Sequence, residues 1–239
     1  PEETATPEVP QDYTPGDLHN KAFPLGALTG VNVSQEQNNI DWYTVRNDAA
    51  IDYAMIRVGY RDEWGQYHED EKFAQNIQSA LDAGLEVGVY FEMNANNTDD
   101  TNGAAQWIID KLQSHKYDIA YPIAFSLVNE APESPMDNGT RTQIAKDFFR
   151  AVKEKDSDYK TVLFGTKDVL NGKYNVNDLD GNKCWLSDYA ENTDFIGSAM
   201  WQVSGNGNMP GFSDGIKVGM NICFETYTRP VKPETPPAE

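Results

Sequence analysis

The sequence predicts an α/β fold, an irregular (β/α) TIM-like barrel, on three observations. Short apolar strands alternate with amphipathic helices in the first half of the chain. Four further strands then follow with little helix between them. The 239 residues, 39% hydrophobic and 11% aromatic, are enough to bury one large core.

Ala54-Met55-Ile56-Arg57-Val58-Gly59-Tyr60 reads as a strand, and 71–83 follows with helical spacing. Gly84 stands where a helix-ending glycine belongs. Val87-Gly88-Val89-Tyr90-Phe91-Glu92 is the next strand and 101–114 the next helix. A strand over 119–125 and an amphipathic helix over 141–155 continue the alternation. Segments 161–165, 183–186, 198–203 and 218–224 supply the last four strands. Strand–helix alternation implies a parallel sheet, and this many strands in one domain implies closure. In such barrels chemistry sits at the C-terminal ends of the strands.

The flanks differ in composition. Residues 1–27 read as a Pro/Glu-rich linker and lead-in, 28–228 as the barrel, and 229–239 as a Pro-rich C-terminal linker. Linkers on both sides suggest tethering to a surface or to other modules; trimmed ends are the plainer reading. No signal peptide is visible in a chain that begins at Pro1.

A formal charge of −19, from 38 acidic and 19 basic residues, argues against nucleic acid and anionic membrane surfaces, which are bound through Lys and Arg. No apolar run approaches the ~20 residues that membrane insertion requires. His19, His68 and His115 are scattered, so no metal site and no cofactor are expected. Cys184 and Cys223 would bond only if their strand ends meet.

Many short segments, in consistent order over roughly 30–227, carry a resemblance. They include Gly30-Val31-Asn32-Val33-Ser34, Ile56-Arg57-Val58-Gly59-Tyr60, Tyr121-Pro122-Ile123-Ala124-Phe125, Cys184-Trp185-Leu186-Ser187-Asp188-Tyr189, Met200-Trp201-Gln202-Val203-Ser204 and Val218-Gly219-Met220-Asn221. The chain resembles glycoside hydrolase family 25, the lysozyme-like N-acetylmuramidases. The resemblance implies an irregular β/α barrel that binds bacterial cell-wall glycan, with four acidic positions at the barrel mouth. Here those positions hold Asn32, Ser126, Val128 and Gly219, so all four acids are absent.

Glycoside cleavage ordinarily needs a protonated carboxyl beside the leaving oxygen and a second group for the oxocarbenium-like centre. Val128 can neither give nor take a proton, and a positioned general acid is worth ~10²–10⁴-fold in rate. The leading reading is therefore a catalytically inactive, lysozyme-like domain (a pseudoenzyme) binding cell-wall glycan or another saccharide, outside a bacterium or attached to its surface. Asn32, Tyr60, Tyr90, Glu92, Ser126, Glu130, Trp185, Tyr189, Trp201, Gln202 and Asn221 are the expected ligand-binding residues. They combine aromatic faces for sugar rings with polar groups for hydroxyls and amides.

Two other readings remain. Glu130 lies two residues beyond Val128, hence on the same face of the strand, and Glu92 points to the same mouth. Together they would form a relocated carboxylate pair in an active muramidase. Alternatively, the acidic, Pro-rich flanks suggest a surface adhesion module that binds other surface proteins. Trp64 is read as a loop aromatic at the rim, and Arg57 as half of a buried ion pair.

Overall fold

A computed structural model describes residues 12–95, 100–129, 136–193, 195 and 197–228. The elements run α1 (Pro15–Ala22), β1 (Leu28–Val33), α2 (Trp42–Asn47), β2 (Tyr53–Arg61), β3 (Tyr67–Glu69), α3 (Phe73–Asp82), β4 (Glu86–Asn94) and α4 (Asp100–Ser114). They continue with β5 (Ile123–Asn129), α5 (Asn138–Lys155), β6 (Thr161–Thr166), α6 (Lys167–Lys173), β7 (Lys183–Ser187), β8 (Ser198–Gly207) and β9 (Val218–Cys223).

The strand order β1-β9-β8-β7-β6-β5-β4-β2 is closed by a parallel β1–β2 pairing. Strands β1, β2 and β4 to β8 run parallel, while β9 is antiparallel to both its neighbours. That reversal is where the barrel departs from regular β/α alternation. Strand β3 pairs only with the end of β2, as a hairpin outside the closed wall.

Period-two alternation divides the strand residues between two cores. On β4, Val87, Val89, Phe91 and Met93 face outward, and Gly88, Tyr90 and Glu92 face inward. The outer layer is sealed by helices carrying apolar residues at helical spacing: Phe73, Ile77 and Ala80 on α3, and Ile144, Phe148 and Val152 on α5. Each large side chain so buried stabilises the fold by ~1.5–3 kcal/mol relative to exposure. The barrel interior is filled by Tyr53, Met55, Tyr90, Val162, Trp185 and Met200. Helix α3 ends as its sequence foretells, because Gly84 takes the left-handed conformation (φ 81°).

Two boundaries differ from expectation. The strand expected over 119–125 runs over Ile123–Asn129; it starts past Pro122, which has no N–H to donate, although Tyr121 N and Pro122 O still bond to β4. The folded unit also begins ahead of residue 28. Tyr13 N donates to Asn206 O (3.2 Å), Asn208 N donates to Tyr13 O (2.7 Å), and Leu18 and Ala22 of α1 are buried. A Thr14–Asp17 capping box starts that helix.

Cys184 and Cys223 are free and buried, the first in the outer core and the second in the inner one. They lie on opposite faces of the barrel wall with β8 between their strands. Burial pushes both thiols up to about 12. Among the described residues no helix is long and apolar enough to cross a membrane.

Candidate active site at the barrel mouth

The C-terminal ends of the parallel strands and the N-terminal end of β9 meet at one mouth. Register places Asn32 opposite Gly219, and Gln202 opposite Asn221. Further round the wall, Tyr60 is opposite Glu92, and Glu92 opposite Ser126. Six of the sequence-predicted residues, Asn32, Tyr60, Glu92, Ser126, Gln202 and Asn221, thus line up around one mouth.

On the β1–β9–β8 side the mouth is built from amides. Trp185 Nε1 donates to Asn221 Oδ1 (2.8 Å), and Asn221 Nδ2 donates to Asn32 Oδ1 (2.9 Å) and Gly219 O (3.3 Å). An indole N–H can only donate, so Asn221 must turn its oxygen to Trp185 and its NH₂ to Asn32. Removing the indole donor with Trp185→Phe would leave a buried oxygen unpaired. We expect a loss of about 1–3 kcal/mol in urea denaturation.

Gly219 is where this cluster is tightest. A Cβ at that position would lie 2.0 Å from Asn32 Oδ1 and 2.6 Å from Gln202 Nε2. The space a larger side chain would need is already filled by two neutral amides. Gln202 and Ser126 are only 7% and 8% exposed. Among the described residues neither makes a side-chain hydrogen bond.

On the β2–β4 side the charges are internally paired. Arg57 Nε donates to Asp70 Oδ2 (2.8 Å) and Nη1 to Glu92 Oε2 (3.1 Å). The fully buried Asp70 side chain also accepts from Gln35 N and Lys72 N, each at 3.0 Å. Burial works against the Arg57 charge, but the hydrogen bond to Asp70 and the nearby carboxylates outweigh it and hold the guanidinium protonated. Arg57 is therefore the ion-pair residue expected from sequence. Asp70, its principal partner, was missed, because the contact spans a hairpin that no periodicity marks. Glu92 faces the mouth as an ion-pair partner of Arg57.

The aromatic residues divide. Tyr60 lies on the mouth face, stacked on His68 with ring centres 4.8 Å apart. Tyr90 is buried beneath, edge-on to Trp185 at 5.9 Å; burial, reinforced by the Glu92 charge, drives its phenol well up. Tyr189 is exposed (62%) in the segment that follows β7.

Two expected groove aromatics are corrected. Trp185 is fully buried inside the barrel, stacked on Phe164 at 4.1 Å, and supports the mouth from below. Trp201 pairs with Ile222, one step out of phase with Gln202, and so joins the outer core. Its Nε1 donates to Asp188 O (2.6 Å), and Lys21 Nζ lies 4.5 Å over its ring. Val128 is 42% exposed at the end of β5. Glu130 lies outside the described residues, so its pairing with Glu92 has no described geometry.

The family model for glycosyl hydrolases family 25 matches residues 31–212. The chain belongs to that family.

Solved structures with the same fold include the modular autolysin LytC from Streptococcus pneumoniae in complex with a synthetic peptidoglycan ligand (TM-score 0.72, 21% identity, 82% of this chain and 46% of that one). The Clostridium perfringens spore cortex lytic enzyme SleM (TM-score 0.71, 16% identity) is matched over 84% of this chain and 68% of SleM. The catalytic domain of endolysin ply40 from bacteriophage P40 of Listeria monocytogenes (TM-score 0.67, 17% identity) is matched over 82% and 93%. Comparison with curated proteins finds no match. This family 25 domain spans just under half the length of the LytC chain. It thus has the fold of lysozyme-like peptidoglycan hydrolases, while Asn32, Ser126, Val128 and Gly219 put no carboxyl at four places around its mouth.

Proposed function

We propose that this family 25 domain binds a saccharide, in the first instance cell-wall glycan, at the barrel mouth without cleaving it, on the outside of a bacterium. The observation that carries this reading is the refilled recess at Gly219, where Asn32 and Gln202 occupy the space an acidic side chain would need. Amides donate and accept hydrogen bonds but carry no proton that can be transferred at neutral pH. Ser126 and Gln202, mostly buried and without a side-chain hydrogen bond among the described residues, are polar groups of the kind that orient a ligand in a cleft. The peptidoglycan ligand of LytC supports cell-wall glycan as the first saccharide to try.

Titration with N-acetylglucosamine oligomers and sedimentation with purified peptidoglycan test the binding. Saturable affinity is expected, weakened by Gln202→Ala. Absence of affinity for either would redirect the reading to a protein-interaction module.

The position of Glu92 on the mouth face favours a second reading, an active muramidase using Glu92 with Glu130. It requires that the wild type release reducing ends and that Glu130→Gln abolish that release.

A further inference from the structure

The mouth continues beyond the barrel wall. Register sets His68 of β3 opposite Tyr60 of β2, Tyr60 opposite Glu92 of β4, and Glu92 opposite Ser126 of β5. Four side chains on four neighbouring strands therefore form one row on one face, starting inside the barrel and ending on the external hairpin. Two of its members, Tyr60 and His68, are stacked rings with 19° between their planes.

The hairpin is ordered by a single carboxylate. Asp62 Oδ1 accepts from Trp64 N (3.0 Å) and Gln66 N (2.8 Å), while Oδ2 meets His68 Nε2 at 2.6 Å. Backbone bonds from Asp62 N to Gln66 O (3.0 Å) and from Gly65 N to Asp62 O (3.1 Å) close the turn. This braced turn presents Trp64, a residue 78% exposed, although Trp42, Trp185 and Trp201 are all buried. A large apolar ring held in water by a rigid turn gains nothing for the fold. It suits a partner that offers a flat apolar face.

We propose that the β2–β3 hairpin is a second saccharide subsite, in which Trp64 and His68 stack on a pyranose ring of the same glycan chain whose neighbouring rings occupy the mouth. This rests on the saccharide-binding reading and adds to it a minimum ligand length. Pyranoses present apolar C–H faces at the spacing of aromatic rings, and a row running unbroken from Ser126 to His68 provides the track. The ligand is thus an oligosaccharide of several rings, with monosaccharides held only weakly.

The test is calorimetric titration of the whole chain with N-acetylglucosamine oligomers of one to six units. Wild type should bind longer oligomers progressively more tightly. Trp64→Ala should weaken the longest by about tenfold, leave the shortest unchanged, and flatten the length dependence; Trp64→Phe should restore most of it. Trp64 fluorescence should shift on binding of long oligomers only. Because Trp64 is exposed, its substitution does not threaten folding, and unchanged melting curves would verify that. Oligomer binding indifferent to Trp64→Ala and His68→Ala would overturn the hairpin subsite and leave the mouth reading standing. No binding of any oligomer would overturn both.

Discussion

Asp70→Ala is expected to destabilise the domain by about 3–5 kcal/mol, the largest single-site loss among those considered. The carboxylate is fully buried and holds Arg57 Nε at 2.8 Å. Its removal leaves a guanidinium with a 15% exposed side chain held by the Glu92 carboxylate and the Tyr60 ring face, and strands the N–H groups of Gln35 and Lys72. For a domain of this size that corresponds to a fall in melting temperature of roughly 10 °C. Asp70→Asn keeps an acceptor but loses the charge, so it should fall between wild type and Asp70→Ala in chemical denaturation. A loss below about 1 kcal/mol for Asp70→Ala would show that Arg57 is secured by other contacts.

Gly219→Asp, the substitution that would place an acid at this point of the mouth, is expected to destabilise the protein and to bring no hydrolysis. Its Cβ would stand 2.0 Å from Asn32 Oδ1, so the Asn32 side chain must be displaced from its bond with Asn221. Overpacking of this kind costs about 1–3 kcal/mol. Adding Asn32→Ala removes the obstructing atoms, and Gln202 Nε2, at the end of a flexible chain, can swing away. The double variant should recover most of the loss, with a coupling of about 1 kcal/mol or more in a double-mutant cycle. Additive effects would mean that positions 32 and 219 are independent, and that the recess is roomier than the packing around Gly219 implies.

The barrel was legible from sequence because its signals are local. Period-two runs such as Val87–Phe91, helical spacing on α3 and α5, and Gly84 at a helix end each act within one element. That Asn32, Ser126, Val128 and Gly219 carry no carboxyl is legible in the same way, since residue type needs no coordinates. What failed depended on register. Trp201 and Gln202 are adjacent in sequence, yet pairing with β9 sends one to the outer core and the other to the mouth. The β5 strand starts at Ile123, past Pro122, which has no N–H for the ladder. The Arg57–Asp70 pair and the amide recess at Gly219 join residues 13 and 189 positions apart, the latter through Asn32 and Asn221, beyond the reach of any pattern in one chain. The Trp64 turn lay between: its aromatic was visible in the sequence, but the Asp62 bracing was not.

Unfilled polar space around the buried Asn221 would be costly. Asn32 supplies Asn221 with a hydrogen bond, and Gly219 makes room for Asn32. Arg57 remains paired, so the charged side of the mouth stays ordered.

The most direct measurement of the central claim is the release of reducing ends from purified peptidoglycan by the wild-type chain, with bound protein quantified in the same samples. The account predicts protein retained on the glycan and reducing ends no faster than in buffer. Release well above buffer, abolished by Glu130→Gln, would contradict it and establish a relocated catalytic pair.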